Sequence, residues 1–232
     1  EINGGDLRNA IPRESHAKII VPAKFEHDFN DFFNQYVDAL KHEYKTVDPQ
    51  LEVKLTKTEK PTMVISENDA LRLVGMINAA LNGVIRMSDD MPGVVETSLN
   101  LAIVKIADGK AELLYLLRSS VDSAKYALAE QVTSLHKLLD CEVEFDGDYP
   151  GWKPNSDSYI LKTMVNLYEK DFGKKPKVTA IHAGLECGII GGTYPGLDMI
   201  SFGPTIRHPH SPDEKVKTDT VDMFWKFLKA TL

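Results

Sequence analysis

The sequence predicts an α/β protein in two parts. Residues 1–150 read as α+β, with helices layered on a mostly antiparallel sheet, and residues 151–232 read as a β/α alternation resembling part of a parallel sheet. Three observations predict this. The first part runs roughly β-α-β-α-β-β-α-β by hydrophobic periodicity. Two long strand-like runs flank Asp108-Gly109, the strongest short-range hairpin signal. A turn-rich break of Gly147, Tyr149, Pro150, Gly151, Trp152 and Pro154 separates the two parts.

Each element has a local reason. His16 to Val21 is rich in β-branched residues and reads as a strand. Pro22 opens a helix, where a missing N–H costs nothing. Phe25, Phe29, Phe32, Tyr36, Val37, Leu40 and Tyr44 follow at helical spacing, and Pro49 ends the stretch. Leu51, Val53 and Leu55 alternate with polar residues, which predicts a half-buried strand. Ser66 is an N-cap with Asp69 three residues on. Leu71, Val74, Ile77, Ala80 and Leu81 carry that helix to about Arg86. Val94–Ile106 and Glu112–Arg118 form the hairpin. Ser120 or Ser123 caps a helix bearing Tyr126, Val132, Leu135 and Leu139, and Cys141–Phe145 reads as a final strand. After the break, Ser156 or Asp157 starts a helix with Ile160, Met164 and Leu167. Val178–Ile181 and Leu197–Phe202 are strand candidates. Asp219 or Thr220 starts an amphipathic helix through Val221, Phe224, Trp225 and Leu228.

Composition excludes several classes. The chain has 232 residues and a net charge of -7, with no basic stripe, which argues against nucleic acid and anionic membranes as partners. No apolar run reaches the roughly 18 residues a membrane span needs. The only cysteines, Cys141 and Cys187, give no disulfide framework and fit a reducing, cytoplasmic setting. The chain opens on Glu1-Ile2-Asn3-Gly4-Gly5 with no Met, so it is expected to be a fragment of a longer protein.

Two loops after candidate strands could carry chemistry, since ligands in open α/β sheets bind there. One is His182–Gly188, followed by Gly191-Gly192. The other is Gly203–Glu214. His210 could ligate a metal, with Asp213 or Glu214 accepting from its other ring nitrogen. An exposed loop histidine is the plainer reading, because zinc needs three or four ligands. His208 has less to recommend it. Cys187 reads as a small buried thiol rather than a nucleophile. Arg118 could grip a carboxylate with two parallel hydrogen bonds, or be an ordinary arginine at a strand end. Asn9 could be a turn residue. No phosphate loop is present.

Three strings are longer and more specific: Gly4-Gly5-Asp6-Leu7-Arg8-Asn9-Ala10-Ile11-Pro12-Arg13-Glu14, His182-Ala183-Gly184-Leu185-Glu186-Cys187-Gly188, and Ser201-Phe202-Gly203-Pro204-Thr205-Ile206-Arg207 with Pro209-His210-Ser211-Pro212-Asp213-Glu214. They resemble the aminoacyl-histidine dipeptidases, the peptidase D group of the dinuclear zinc aminopeptidase/carboxypeptidase superfamily. The resemblance implies a lid and dimerisation domain over residues 1–150, then the C-terminal portion of an α/β zinc-peptidase catalytic domain over 151–232. It implies His210 as a metal ligand. Asn9, Arg118 and Gly184 become substrate contacts, with His182 or Glu186 meeting the substrate's amino end. It also implies dipeptide substrates, two Zn2+ per full-length subunit with Co2+ or Mn2+ as substitutes, a homodimer formed through the lid, and a cytoplasmic location. His208 departs from the family, where an apolar residue is expected. The His-x-Asp ligand pair, the bridging Asp, the Glu-Glu pair with the general base and a lid His would lie upstream, so this chain alone is expected to be inactive. The alternatives are a dimerisation or peptide-binding module without activity, or a related tripeptidase or deacylase.

Overall fold

A computed structural model of the chain describes residues 1–153, 155–180, 186–209, 211 and 213–232. The first part is built on a five-stranded, wholly antiparallel sheet: β1 (Ile2–Gly4), β2 (Ser15–Ala17), β3 (Gly83–Met87), β4 (Val95–Ala107) and β5 (Lys110–Ser119). β4 is its axis. β5 pairs with one edge of β4 along nearly its whole length. β1 and β3 share the other edge in tandem, β1 opposite Val104–Ile106 and β3 opposite Val95–Leu99. β2 extends the sheet beyond β1.

The hairpin between β4 and β5 forms where the sequence put it. Asp108 and Gly109 both take positive φ, 51° and 74°, as a two-residue turn matched to strand twist demands. A bulge at the fully buried Ala102 breaks the β4–β5 register between Leu101 and Ile103. Gly5, at φ 76°, lies against that bulge. A Cβ there would come within 1.9 Å of the Ala102 carbonyl oxygen, so only glycine fits.

The helices are α1 (Glu26–Tyr44, entered through a 3₁₀ turn at Ala23–Phe25), α2 (Glu67–Ala79), α3 (Asp122–Lys137), α4 (Tyr159–Phe172), α5 (Glu186–Thr193) and α6 (Asp219–Thr231). α3 lies on β5 and α2 packs on α3. Leu99, Leu128 and Val132 form the core between sheet and helix, with Tyr115 and Leu117 against them. Each fully buried leucine contributes roughly 1.5–3 kcal/mol relative to exposure. In the second part α4 packs on α6 through an aromatic cluster. Phe227 meets Tyr168 and Phe202 edge-on, at centroid distances of 5.2 and 5.4 Å.

Several expected elements differ. α2 stops at Ala79 rather than near Arg86. Ala80 turns extended (ψ 130°), and residues 83–87 join the sheet as β3. α3 begins at Asp122 with neither Ser120 nor Ser123 as cap. Ser119 Oγ instead accepts the Val121 N–H at 3.1 Å. α4 is capped by Ser158, whose Oγ accepts from Leu161 N–H, rather than by Ser156 or Asp157. Residues 51–55, 141–145 and 197–202 carry no ladder, nor do 178–180, the described part of the run to Ile181. A strand is made by its partner, and these segments have none alongside them among the described residues. The strand expected over His16–Val21 is reduced to the short edge strand β2.

Candidate functional site

The sheet sorts the polar residues of β4 and β5 by face. Thr97 and Ser119 are paired and share a 2.8 Å hydroxyl contact, and Leu99 pairs with Leu117 in the core against α3. Alternation then puts Ser98, Asn100, Leu116 and Arg118 on the opposite face. Arg118 pairs with Ser98 and Asn100 with Leu116, so Arg118 and Asn100 are diagonal neighbours there. Arg118 is half-buried. Asn100 reaches the turn that carries Asn9. Its Nδ2 donates to the carbonyls of Arg8 (3.2 Å) and Ala10 (2.8 Å), the two residues flanking Asn9. Asn9 and Arg118 are thereby brought to one side of one sheet, although 109 positions separate them in sequence.

β5 and α3 border a cleft of about 1470 Å³, lined by Arg8, Arg118, Asp146, Gly188 and Phe202 among others; Arg118 reaches it, while Asn9 and Asn100 are not among its lining residues. Small-ligand pockets span roughly 300–1,000 Å³. The cleft is wider than a dipeptide needs, and its apolar walls, Val178 and Met199 included, are open.

The junction between the two parts is docked rather than loose. Lys125 Nζ on α3 binds Asp148 Oδ1 at 2.5 Å and the Tyr149 carbonyl at 2.7 Å, and the Tyr126 hydroxyl donates to Asp148 Oδ2 at 2.9 Å. These donors hold the Asp148 carboxyl below the usual aspartate range. The Gly151 N–H donates to Asp122 Oδ1 at 2.9 Å. Arg8 forks onto Asp146 at 2.7 and 3.1 Å. Sequence reading missed Arg8, Asn100 and Asp146. The only available signal was that Arg8 stands inside the first string.

In the second part, a two-stranded ribbon of β6 (Ile206–Arg207) and β7 (Lys215–Val216) flanks the last string. It is fastened to the start of α6 by Lys217 N–H to the Thr205 carbonyl (2.8 Å) and Thr205 N–H to Thr220 Oγ1 (3.0 Å). Phe202, packed on Phe224 and Phe227, anchors the approach to the ribbon. His208 sits at φ 54° just beyond β6. His210, His182 and Gly184 lie outside the described residues. Glu186, expected in a loop, is the first residue of α5, where its charge suits the N-terminal end of the helix dipole. Cys187 follows it as a half-buried free thiol. Among the described residues no three His, Cys, Asp or Glu side chains are grouped to hold a metal. Those residues do not make a metal site by themselves. No helix among them is long and apolar enough to cross a membrane.

Residues 1–48 match the family model of the peptidase dimerisation domain. The whole chain resembles cytosol non-specific dipeptidase. It is 40% identical, over 234 aligned positions, to the protein of that name from Escherichia coli (strain K12), covering all of this chain and 48% of the relative. The crystal structure of aminoacylhistidine dipeptidase from Vibrio alginolyticus superposes with a TM-score of 0.87 at 42% identity, over 99% of this chain and 47% of that one. Aminopeptidase PepT from Bacillus cereus shares the fold alone, with a TM-score of 0.56 at 16% identity over 70% of this chain and 44% of that one. The chain thus spans about half the length of the relatives it matches.

Proposed function

We propose that the protein containing this chain hydrolyses dipeptides, Xaa-His among them, as a zinc-dependent cytoplasmic dipeptidase. Residues 1–150 would be its lid and dimerisation domain, and residues 151–232 the closing portion of its catalytic domain. The observation that carries the reading is the convergence of Arg118 and the Asn9 turn on one sheet face, with Arg118 and Arg8 also lining the open cleft. Arg118 would clamp the free C-terminal carboxylate with a two-point fork. Asn9 would donate its amide to the scissile carbonyl or the substrate backbone. Gly184 would line the cleft with its backbone, and His182 or Glu186 would meet the amino end. His210 would supply one metal ligand, with the remaining ligands and the general base coming from residues upstream. Bound zinc, two ions in the full-length subunit with Co2+ or Mn2+ able to substitute, supplies Lewis acidity and water activation in such sites.

The exposed surface supports a larger assembly. The chain exposes 17613 Å², whereas a complete folded monomer of 25.9 kDa exposes roughly 10,500 Å². On the surface of the 1–48 stretch, Phe25, Phe32 and Tyr36 are exposed, and this is the face proposed for a second copy. The test is Arg118→Ala in the whole protein. KM should rise steeply for free dipeptides and much less for C-terminally amidated ones. Equal effects on both would reject the clamp.

A further inference from the structure

Asn9 sits in a turn held from several sides by residues far apart in sequence. The Ala10 N–H donates to the Leu7 carbonyl at 3.2 Å, closing a turn with Arg8 and Asn9 at its centre. Asn100 holds the carbonyls on either side of Asn9, and Gly5 seats the preceding backbone on the Ala102 bulge. The exposed Asn9 amide has no hydrogen-bond partner among the described residues. The remaining hold comes from Asp146, which takes both terminal nitrogens of Arg8.

Asp146 is itself a fixed post. It lies in the stretch that joins the two parts, just before Gly147 at φ 65°. Two residues on, Asp148 is bound by Lys125 and Tyr126 of α3. The Arg8 and Asp146 side chains are 48% and 70% exposed. Exposed ion pairs add little to stability, because water and salt screen them. A planar two-point fork does add definite geometry. The contribution of this pair is therefore orientation rather than fold energy.

We infer that Arg8 and Asp146 are positioning residues, their ion pair fixing the 7–10 turn so that Asn9 is presented to substrate and tying that turn to the junction between the two parts. This rests on the reading of Asn9 as a substrate contact. Without the fork, the Asn100 bonds still hold the turn to the sheet, but its outer side can swing. Misplacement of a positioning group by about 1 Å can cost on the order of 100-fold in rate.

The experiment is steady-state kinetics on the whole protein with a free dipeptide, alongside thermal melts. Arg8→Ala and Asp146→Ala should each lower kcat/KM on the order of 10- to 100-fold with little change in Tm. Adding Arg8→Ala to Asn9→Ala should cost no more than Asn9→Ala alone. The exchange of Arg8→Asp with Asp146→Arg should recover most of the loss. Arg8→Lys, which keeps charge but not the fork, should fall between Arg8→Ala and the parent. Parental kinetics for Arg8→Ala or Arg8→Lys beside an impaired Asn9→Ala would overturn the clamp while leaving the substrate contact standing. An exchange no better than the single variants would do the same. Parental kinetics for Asn9→Ala would overturn the substrate contact, and the clamp with it.

Discussion

The Tyr115 hydroxyl lies 3.1 Å from Nε2 of His136, and the two rings meet edge-on with centroids 5.4 Å apart. His136 Nδ1 is 2.8 Å from the Val132 carbonyl, which can only accept, so that nitrogen carries the proton. In the neutral ring Nε2 is then a bare acceptor, and Tyr115 donates to it. The pair ties β5 to α3 directly behind the strand segment that presents Arg118.

Burial, and to a smaller extent the neighbouring Cys141, push the Tyr115 phenol up to about 12 from its ordinary 10.0. The folded state therefore favours the neutral phenol. The resulting stability is complete below pH 10 and is lost as pH rises towards 12. Tyr115→Phe keeps the ring and removes the titration. Its melting temperature should fall less steeply than the parent's between about pH 10 and 12. At neutral pH it should be less stable by about 1–3 kcal/mol, because the buried His136 acceptor loses its donor. Parallel alkaline profiles for parent and variant would reject this account.

At the other end of the pH range stands Asp198, expected inside a strand but carrying no ladder, with its carboxylate at the N-terminal end of α4. Its Oδ2 accepts the Ile160 N–H at 3.0 Å. A hydrogen bond from Ser158, then that from Ile160, hold its carboxyl below the ordinary 3.8. A depressed carboxylate contributes stability that is present above its ordinary value and lost as pH falls through the folded one. Asp198→Asn keeps an acceptor for the helix and discards the charge. Unfolding followed by circular dichroism from pH 6 to pH 2 should show a shallower acid limb for the variant. An unchanged limb would mean the cap carries no net charge stabilisation.

How much of this was legible in the sequence depends on the range over which the information acts. The Asp108-Gly109 hairpin, the Ser66 cap, and helices α1 and α6 are written locally, in turn chemistry and periodicity. β3 was not legible, because the apolar spacing of α2 runs on through Leu81 and Ile85. The break is made by the backbone, with Ala80 extended and Gly83 at φ 92°. The runs at 51–55, 141–145 and 197–202 have strand composition but find no edge to join, and composition says nothing about partners. The Arg8–Asp146 fork spans 138 positions and leaves no trace in spacing. Glu186 was placed in a loop because its stretch leaves the end of the candidate strand Val178–Ile181, yet α5 forms there, running through Gly188, Gly191 and Gly192. The residues themselves offered Asn9 and Arg118 as candidates, and the resemblance gave them an expected role as substrate contacts. Geometry supplied the reason they share a face.

The surface excess leads to the last prediction. Ile11, Met63, Val64, Leu71 and Tyr159 are among many large apolar side chains left exposed, and the cleft walls at Val178 and Phe202 stand open. Exposed apolar patches of this extent mark surfaces that another chain or segment covers. The purified 232-residue chain should therefore bind a hydrophobic dye strongly and melt over a broad range. It should hydrolyse no dipeptide with or without added Zn2+, since the remaining metal ligands and the general base are proposed to lie upstream of it. Co-expression with the upstream half of the protein should suppress dye binding and restore hydrolysis. Measurable turnover by the 232-residue chain alone would show that it holds a complete catalytic centre, and the division of labour proposed between it and the upstream residues would fall.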